Sequence, residues 1–441
     1  MKILFVLNDF FPNQIAGTEV YVKTLATILL DKSYDCTVLI PNYNNNLDET
    51  YFVDNIKVIK YAEPSIVDRK LIMGKRKPDG LNNFLEILKN ENPTIVHFHE
   101  LAGSNGITLS HVVETKRLGF KVVFTAHLAS YTCKNGALMY QKETYCDGVI
   151  NNLKCTKCAL VSTHGKTLKT SLIYSFSSFL YYLGFDTTKF DNSVGTAFGF
   201  PFIIKKLKAD LNTLVTTCDK FVVLTNWYKK ILLQNGIAED KLSLISQGLP
   251  SDAIVKKMNC KTVLPLKIIF VGRISHFKGL HLLLDVCKRF NTTQLELNIY
   301  GKDNNDAYAN ECKLMIDEMP HVHLYNILPS NVVLQTMANN HLLCLPSTFS
   351  EMSPLVIQEA FAAGIPVLAS NVYGNAEQIT DREIGWLFNF NDRKDLENKI
   401  QLLIKNPALI DTAKSKIKPV KSFYNVVSEY QKLYNQILLA V

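Results

Sequence analysis

Short, almost continuously apolar segments alternate along the chain with segments of helical apolar spacing. In the first half, the β-rich segments read KILFVLN, CTVLIP, TIVHFHE, KVVFTAH, KFVVLTN and KLSLISQGL. The second half repeats the pattern with LKIIFVGR, LELNIYG, VHLYN, HLLCLPS, IPVLAS and GWLFN. Strands that are apolar on both faces and alternate with helices are typical of parallel sheets covered on both sides. The pattern therefore predicts an α/β fold with two doubly wound, Rossmann-like parallel sheets.

The segment LPSDAIVKKMNCKTVLP, residues 249–265, interrupts this pattern: it has no periodicity and carries a proline near each end. Such a segment is typical of a linker, and 441 residues are too many for one hydrophobic core. We therefore predict domains over residues 1–250 and 266–420. A final helix over residues 422–441 has the apolar spacing to pack back on the first domain. Ligands of doubly wound sheets bind at the carboxyl ends of the strands, so facing domains would form a central cleft.

The stretch SEMSPLVIQEAFAAGIP, residues 350–366, contains signals for both ends of a helix. Ser353 followed by Pro354 is typical of a helix start, and Gly364 is typical of a helix end. The spacing predicts a helix over about residues 354–363, directly after the strand HLLCLPS. Free N–H groups at its start would attract an anion such as a phosphate.

Charged side chains accompany this helix. Glu351 precedes it and Glu359 lies inside it; carboxylates there would repel a phosphate but accept hydrogen bonds from sugar hydroxyls. Exposed helix glutamates are the alternative interpretation.

In FVGRISHFKGLHLLL, Arg273 and Lys278 follow a strand and precede a helix. Two cations at the carboxyl edge of a strand can hold a diphosphate, although either alone would be an ordinary surface cation.

Three of these segments resemble, in order and spacing, a known nucleotide-sugar site. GRISHFKG, PSTFSEMSPLVIQEAFAAGIPVLAS and YGNAEQI are similar to the donor site of retaining glycosyltransferases of the GT4 type, which have the GT-B fold. The first half resembles that family more loosely, through NDFFPNQIAGTEVY, IVHFHE, TAH and VVLTNWYKK. The resemblance implies a hexosyltransferase that moves a sugar from a nucleotide-diphosphate sugar to an acceptor hydroxyl with retention. The family's usual setting is bacterial surface-polysaccharide or glycolipid assembly.

The resemblance also implies roles in the second domain, which would bind the donor. Arg273 and Lys278 would hold the diphosphate. Glu359 would accept hydrogen bonds from the ribose hydroxyls, and Glu351, as a catalytic residue, would contact hydroxyls of the donor sugar. Backbone groups would face the phosphates and the sugar along Ser353, Pro354 and Leu355.

In the first domain, which would bind the acceptor, the resemblance implies two further positions. Gly17 would let a phosphate approach the loop after the first strand, although Ala16 stands where the family often has another glycine. His127 would lie near the anomeric centre as a catalytic residue. Without the resemblance, a hydrogen-bonded core histidine is the favoured interpretation of His127. Members of this family use protein cations in place of a catalytic metal, so no catalytic cofactor is expected.

Two alternatives to the transferase stay open. A nucleotide-sugar epimerase or a phosphorylase could use the same architecture. A non-catalytic subunit that binds a nucleotide-sugar without turning it over is the other alternative. The paired cations and carboxylates favour the transferase.

Ten cysteines without a secretory signal predict a reducing, cytoplasmic compartment. Four of them form a cluster within 26 residues that includes a C-x2-C pair: Cys133, Cys146, Cys155 and Cys158. Such a cluster predicts a structural zinc site, with free thiols and disulfides as the alternatives. His97 and His99 alternate on a strand and are a weaker metal candidate.

The net charge of +8 is unevenly distributed. Residues 151–235 hold 11 Lys and 4 Asp, with no Arg or Glu, and include the apolar stretch SLIYSFSSFLYYLGF. A basic and aromatic element can bind anionic lipid at the inner face of a membrane, or it can be a core helix beside solvated lysines. We therefore expect a saccharide or lipid-linked saccharide acceptor. No motif indicates a nucleic-acid partner, and no apolar run predicts a transmembrane helix.

Overall fold

The computed structural model describes residues 1–249, 261–302, 305–329 and 331–439. The chain divides into two compact units, Met1–Ser246 with Phe423–Val441 and Gln247–Ser422. Most of the segment predicted as a linker, residues 250–260, lies outside the described residues. No helix of the described part is both long and apolar enough to cross a membrane.

The first unit is built on an eight-stranded sheet and also contains a two-stranded hairpin. Its strands are β1 (Lys2–Val6), β2 (Asp35–Tyr43), β3 (Glu49–Val53), β4 (Ile56–Glu63), β5 (Ile95–Phe98), β6 (Lys121–Ala126), β7 (Met139–Tyr140), β8 (Thr144–Tyr145), β9 (Lys220–Val223) and β10 (Leu242–Leu244). The order across the large sheet is β10-β9-β6-β5-β1-β2-β4-β3. Neighbours are parallel except for β3, which is antiparallel to β4. The strands β7 and β8 form the separate hairpin.

Helices connect these strands. They are α1 (Gly17–Asp31), α2 (Arg69–Ile72), α3 (Leu81–Glu91), α4 (Leu109–Arg117), α5 (Asn152–His164), α6 (Leu168–Tyr182), α7 (Ser193–Phe198), α8 (Phe200–Thr217) and α9 (Asn226–Gln234). The first parallel pair shows the arrangement that the apolar pattern predicts, because β1 runs parallel to β2 and α1 connects them.

The second unit contains a six-stranded, entirely parallel sheet. Its strands are β11 (Leu266–Val271), β12 (Leu295–Tyr300), β13 (Val322–Tyr325), β14 (Leu342–Leu345), β15 (Val367–Ser370) and β16 (Gly385–Phe388). Its helices are α10 (Leu280–Cys287), α11 (Ala307–Asp317), α12 (Val333–Ala338), α13 (Leu355–Ala362), α14 (Tyr373–Ala376), α15 (Arg393–Lys405) and α16 (Ala408–Lys416).

The strand order of this second sheet, β13-β12-β11-β14-β15-β16, is that of a doubly wound fold. Strand β11 shows why its strands are apolar throughout. Phe270 belongs to the core on one face of the sheet, and Ile269 belongs to the core on the other. The order reverses between β11 and β14, and such a reversal opens a crevice at the carboxyl ends of the strands.

The chain then returns to the first unit as α17 (Phe423–Leu439). Tyr430 and Tyr434 of α17 are fully buried there. The Tyr21 hydroxyl donates to the Tyr430 hydroxyl over 3.0 Å, and the Tyr434 hydroxyl lies 2.8 Å from Nδ1 of His97. Polar as well as apolar contacts therefore hold α17 in the first core.

Each of the twelve segments predicted to be β-rich contains a strand of one of the two large sheets. The first sheet departs from the parallel arrangement only at one edge, where β3 and β4 form an antiparallel hairpin. Its turn residues, Asp54 and Asn55, both have positive φ, at 47° and 67°. Such a turn joins antiparallel strands without a helix, so this pair escapes the strand–helix alternation on which the prediction rested.

Candidate active site

A tight turn after β11 places the predicted cations. Arg273 is exposed, and a 3₁₀ turn over His276–Lys278 leads to Gly279 just before α10. Gly279 has φ +70°, and a Cβ there would lie 1.9 Å from the carbonyl oxygen of Pro346. Only glycine fits a left-handed backbone this close to another chain segment. The turn carrying Lys278 is thus packed directly against the end of β14.

Lys278 and Glu351 form an ion pair at the reversal point of the second sheet. The Lys278 Nζ donates to Oε1 of Glu351 over 2.6 Å, and Oγ of Ser347 donates to the same oxygen over 2.8 Å. Both charged side chains are largely buried, at 18% and 8% exposure. A buried carboxylate needs such partners because they replace the water that it loses. Two of the residues predicted from the sequence therefore meet.

A second layer of contacts supports Glu351. Oγ of Ser370, at the end of β15, donates to the carbonyl oxygen of Ser347 over 2.8 Å, and Nδ2 of Asn375 donates to the carbonyl oxygen of Ser370 over 3.1 Å. A Cβ on Gly374 would lie 2.1 Å from the carbonyl oxygen of Glu351. No role for Ser347, Ser370 or Asn375 follows from the sequence, because their hydrogen bonds join loops after different strands.

The helix that follows Glu351 begins one residue later than predicted. Its N-cap is Pro354, with φ −67° and ψ 118°, so the prediction that Ser353 caps the helix is wrong. The extended Pro354 backbone moves the first helical residue to Leu355. Within the described chain, the backbone N–H groups of Ser353 and Leu355 have no hydrogen-bond partner, while Pro354 has no N–H to offer. These groups leave the start of α13 able to bind an anion.

Glu359 lies in α13 and is partly buried. Desolvation raises the pKa of its carboxyl above the ordinary value of 4.5. A carboxylate held in such surroundings gains more from a hydroxyl donor than one in water does. This environment suits the predicted role of hydrogen-bond acceptor.

In the first unit, Gly17 is the first residue of α1. A Cβ built on it would meet nothing within 4 Å, so space is open beside this backbone. Ala16 is the N-cap, and its N–H donates to Oε2 of the buried Glu19 over 3.0 Å. The helix start is thus held by Glu19 and does not depend on a glycine at position 16.

His127 follows β6 and is buried beside His99, which follows β5. Nε2 of His127 and Nδ1 of His99 lie 3.0 Å apart, a distance at which one ring donates to the other. Desolvation lowers the pKa of His127 to about 3. His127 is therefore a neutral, hydrogen-bonded histidine near neutral pH, and its ring can exchange a hydrogen bond but carries no charge.

Among the described residues, the four clustered cysteines form no disulfide. Across the described residues, no group of three or more His, Cys, Asp or Glu side chains could hold a metal ion. Sγ of Cys158 instead lies 3.1 Å from the backbone N of Gln141 and 3.6 Å from the carbonyl oxygen of Met139. The structure therefore does not support the zinc site predicted at Cys133, Cys146, Cys155 and Cys158. It equally gives no support to metal binding by His97 and His99.

Comparison with known proteins identifies two family segments. Residues 261–419 match the family described as Glycosyl transferases group 1, and residues 15–174 match Glycosyltransferase Family 4. Together the two segments cover more than half of the chain. They support a GT4-like glycosyltransferase.

Curated relatives agree with this assignment. The chain is 30% identical over 203 residues to an uncharacterized glycosyltransferase of Haemophilus influenzae, covering 44% of this chain and 54% of the relative. It is 23% identical to the amylovoran biosynthesis glycosyltransferase AmsK of Erwinia amylovora, covering 42% and 47%. The chain thus spans about half the length of these relatives.

Solved structures show the fold. Sucrose-phosphate synthase of Thermosynechococcus elongatus aligns over 100% of both chains, with a TM-score of 0.69 and 15% identity. The Anabaena protein HepE in complex with UDP and glucose aligns over 99% of this chain and 100% of its own, with a TM-score of 0.62 and 14% identity. These likenesses confirm the predicted GT-B α/β fold.

Proposed function

We propose that this chain, whose two family segments support a GT4-like glycosyltransferase, transfers a hexose from a nucleotide-diphosphate sugar to an acceptor hydroxyl with retention of anomeric configuration. The observation that carries the proposal is the Lys278–Glu351 pair at the reversal point of the second sheet, where Nζ and Oε1 are 2.6 Å apart. A buried ion pair is weak evidence for stability alone, because apolar residues of the same size often pack as well. A functional reason for keeping the two charges is therefore the better explanation.

Each charged group has a proposed task. Lys278 and Arg273 neutralise the diphosphate as it leaves, and the free N–H groups of Ser353 and Leu355 bind its oxygens. Glu351 fixes the Lys278 ammonium and accepts hydrogen bonds from the donor sugar. Glu359 accepts hydrogen bonds from the ribose. Catalysis then consists mainly of positioning the donor and stabilising the leaving group.

In the first unit, we propose that the open backbone at Gly17 admits a phosphate and that His127 contributes a neutral hydrogen bond near the anomeric centre. A neutral histidine suits this place, because a charged one would repel the positive charge that develops on the sugar ring in the transition state. The proposal needs no catalytic metal.

The acceptor is proposed to be a saccharide or a lipid-linked saccharide. Relatives named for amylovoran and colanic acid biosynthesis support polysaccharide assembly as the setting. HepE has been solved with UDP-glucose, which makes UDP-sugars a sensible first group of donors to test. We place the protein in the cytoplasm, in contact with the inner face of the membrane.

The test is product analysis after incubation with nucleotide-diphosphate sugars and a bacterial glycolipid extract. A transferase gives a glycosylated acceptor by mass spectrometry and releases the nucleoside diphosphate, and NMR of the new linkage reports the anomeric configuration. An isomerised donor without release would identify an epimerase, and turnover only with added phosphate would identify a phosphorylase. Donor binding with no turnover in any mixture would identify a non-catalytic subunit and overturn the proposal.

A further inference from the structure

The connection between β6 and β9 contains far more chain than the sheet requires. These strands are parallel neighbours, and a parallel connection needs about a dozen residues, usually one helix. Here it contains α5, α6, α7 and α8 as well as the β7–β8 hairpin. The additional helices therefore need an explanation other than closure of the sheet.

Helix α6 exposes large apolar side chains and buries small polar ones. Leu172, Phe176 and Phe179 are 63%, 49% and 55% exposed, whereas Thr170 and Ser177 are 3% and 0% exposed. Residues spaced by three and four share one face of a helix, so the large apolar side chains form one stripe. Ordinary surface helices bury that stripe and expose their small polar residues. The exposed apolar surface continues through Leu168, Tyr182, Leu183, Phe185, Phe190 and Val194.

The surroundings of this stripe are basic. Residues 152–217 contain eight Lys and three Asp, with no Glu or Arg. Lys169 and Lys189 are exposed close to the two ends of α6, whereas the exposed Lys166 is paired with Glu143. An open groove of about 600 Å³ on the same segment is lined by Lys205 and Lys208. Exposed aromatic and aliphatic side chains beside lysines are the combination found on helices that bind anionic membrane surfaces.

We propose that α6 and the turn after it dock on an anionic lipid surface. Leu172, Phe176 and Phe179 enter the boundary between headgroups and acyl chains, and the neighbouring lysines contact lipid phosphates. A second copy of this chain fits less well, because a symmetric contact would bring two basic segments together. This proposal rests on the membrane contact included in the proposed function and says which surface makes it. Vesicle binding needs no sugar transfer, so either proposal can fail alone.

The experiment is co-sedimentation of the full chain with vesicles of phosphatidylglycerol and phosphatidylcholine, and with vesicles of phosphatidylcholine alone. We expect binding to the anionic vesicles that weakens with salt, and little binding to the neutral ones. The triple variant Leu172→Ser, Phe176→Ser, Phe179→Ser should bind at least about tenfold more weakly. Its thermal unfolding midpoint should fall by only a few degrees at most, because these side chains are about half exposed and only the packing of Phe176 against Phe198 is lost.

The matched control is the triple variant Phe52→Ser, Leu314→Ser, Leu402→Ser, which removes three exposed apolar side chains on β3, α11 and α15. It should bind vesicles like the unchanged protein.

A second variant, Lys169→Gln with Lys189→Gln, should lose part of the preference for anionic lipid. The inference is overturned if the protein sediments with neither vesicle or if the α6 triple variant binds equally well. A dimer that the α6 variant dissociates, without vesicle binding, would assign the stripe to a second copy.

Discussion

Lys278 and Glu351 each depend on the other, because each would otherwise be a largely buried charge without an opposite charge beside it. Removing one member of such a pair is strongly destabilising, by about 3–5 kcal/mol in well-buried cases. Glu351 would keep Ser347 as a hydrogen-bond donor, so we expect the lower end of that range. A substitution in this pair should therefore be measured for both activity and stability, so that the two effects can be told apart.

Lys278→Ala should lower the free energy of unfolding by about 3 kcal/mol and transfer activity by at least about a hundredfold. Urea unfolding and initial rates measure the two effects. The control is Lys288→Ala, which breaks an exposed pair with Glu318 whose charged atoms are 3.0 Å apart. An exposed pair contributes only about 0–1 kcal/mol, and the rate should not change. Equal losses in the two variants would contradict the assignment of Lys278.

The ionised Glu359 carboxylate should destabilise the folded protein, so the free energy of unfolding should depend on its protonation. Because burial raises its pKa in the folded state, the folded protein binds that proton more tightly than the unfolded chain does. Stability then falls as the pH rises from the unfolded pKa, near 4.5, through the raised folded pKa.

Glu359→Gln, which cannot ionise, should therefore be more stable than the unchanged protein at pH 7, and the difference should disappear toward pH 4. Its affinity for the donor should fall about tenfold to a hundredfold, because a hydrogen bond to a charged group is lost. Urea unfolding across this pH range and calorimetric titration of the donor check both parts. A variant less stable at pH 7, or one with unchanged affinity, would exclude the proposed role.

The turns that hold the site differ in how much space they leave. Gly279→Ala would place a Cβ 1.9 Å from the Pro346 carbonyl oxygen in a left-handed backbone, so it should lower the thermal midpoint by several degrees. In Gly17→Ala, the new Cβ would meet nothing within 4 Å. This variant should therefore keep the thermal midpoint and lose only transfer activity. Circular dichroism melting and rate assays measure both. Loss of stability in Gly17→Ala would show that the glycine serves the fold of α1 and not a ligand.

Elements and contacts differ in how far the sequence predicts them. The strands of both sheets follow from apolar runs, and α13 follows from Gly364 and Pro354 to within one residue, because these signals are local. The Ser370–Ser347–Glu351 chain does not follow, because it joins the ends of β14 and β15 only after the sheet has formed. The cysteine spacing predicted zinc, but Cys158 on α5 faces backbone groups of Met139 and Gln141. Spacing along the chain does not determine what a side chain meets after the elements have packed.

At the scale of the whole molecule, acid should destabilise the first unit before most carboxylates titrate. Four of its buried histidines have pKa values lowered by desolvation: His97, His99, His111 and His127. Below the unfolded value of 6.5, the unfolded chain binds protons that the folded unit does not. Stability is therefore complete above about pH 6.5 and is lost as the pH falls toward the folded pKa values.

We expect the free energy of unfolding to decline between pH 6.5 and 5 and His111→Gln to reduce the slope by up to about 1.4 kcal/mol per pH unit. His111 is a suitable choice because the site proposed in this unit involves Gly17 and His127. Urea unfolding at several pH values gives the slope. A free energy that is constant down to pH 5 would show that the pKa values of these histidines are not lowered in the folded state.

The central claim is that the second unit binds a nucleotide-diphosphate sugar through its proposed site residues, Lys278, Glu351 and Glu359 among them. Calorimetric titration of the full chain with a panel of such sugars tests it most directly, with Glu359→Ala as the site variant and Glu318→Ala, an exposed glutamate paired with Lys288, as the control. We predict that at least one sugar binds the unchanged protein and the control equally, and binds Glu359→Ala at least about tenfold more weakly. Binding of no sugar in the panel, or equal binding to all three proteins, would contradict the claim.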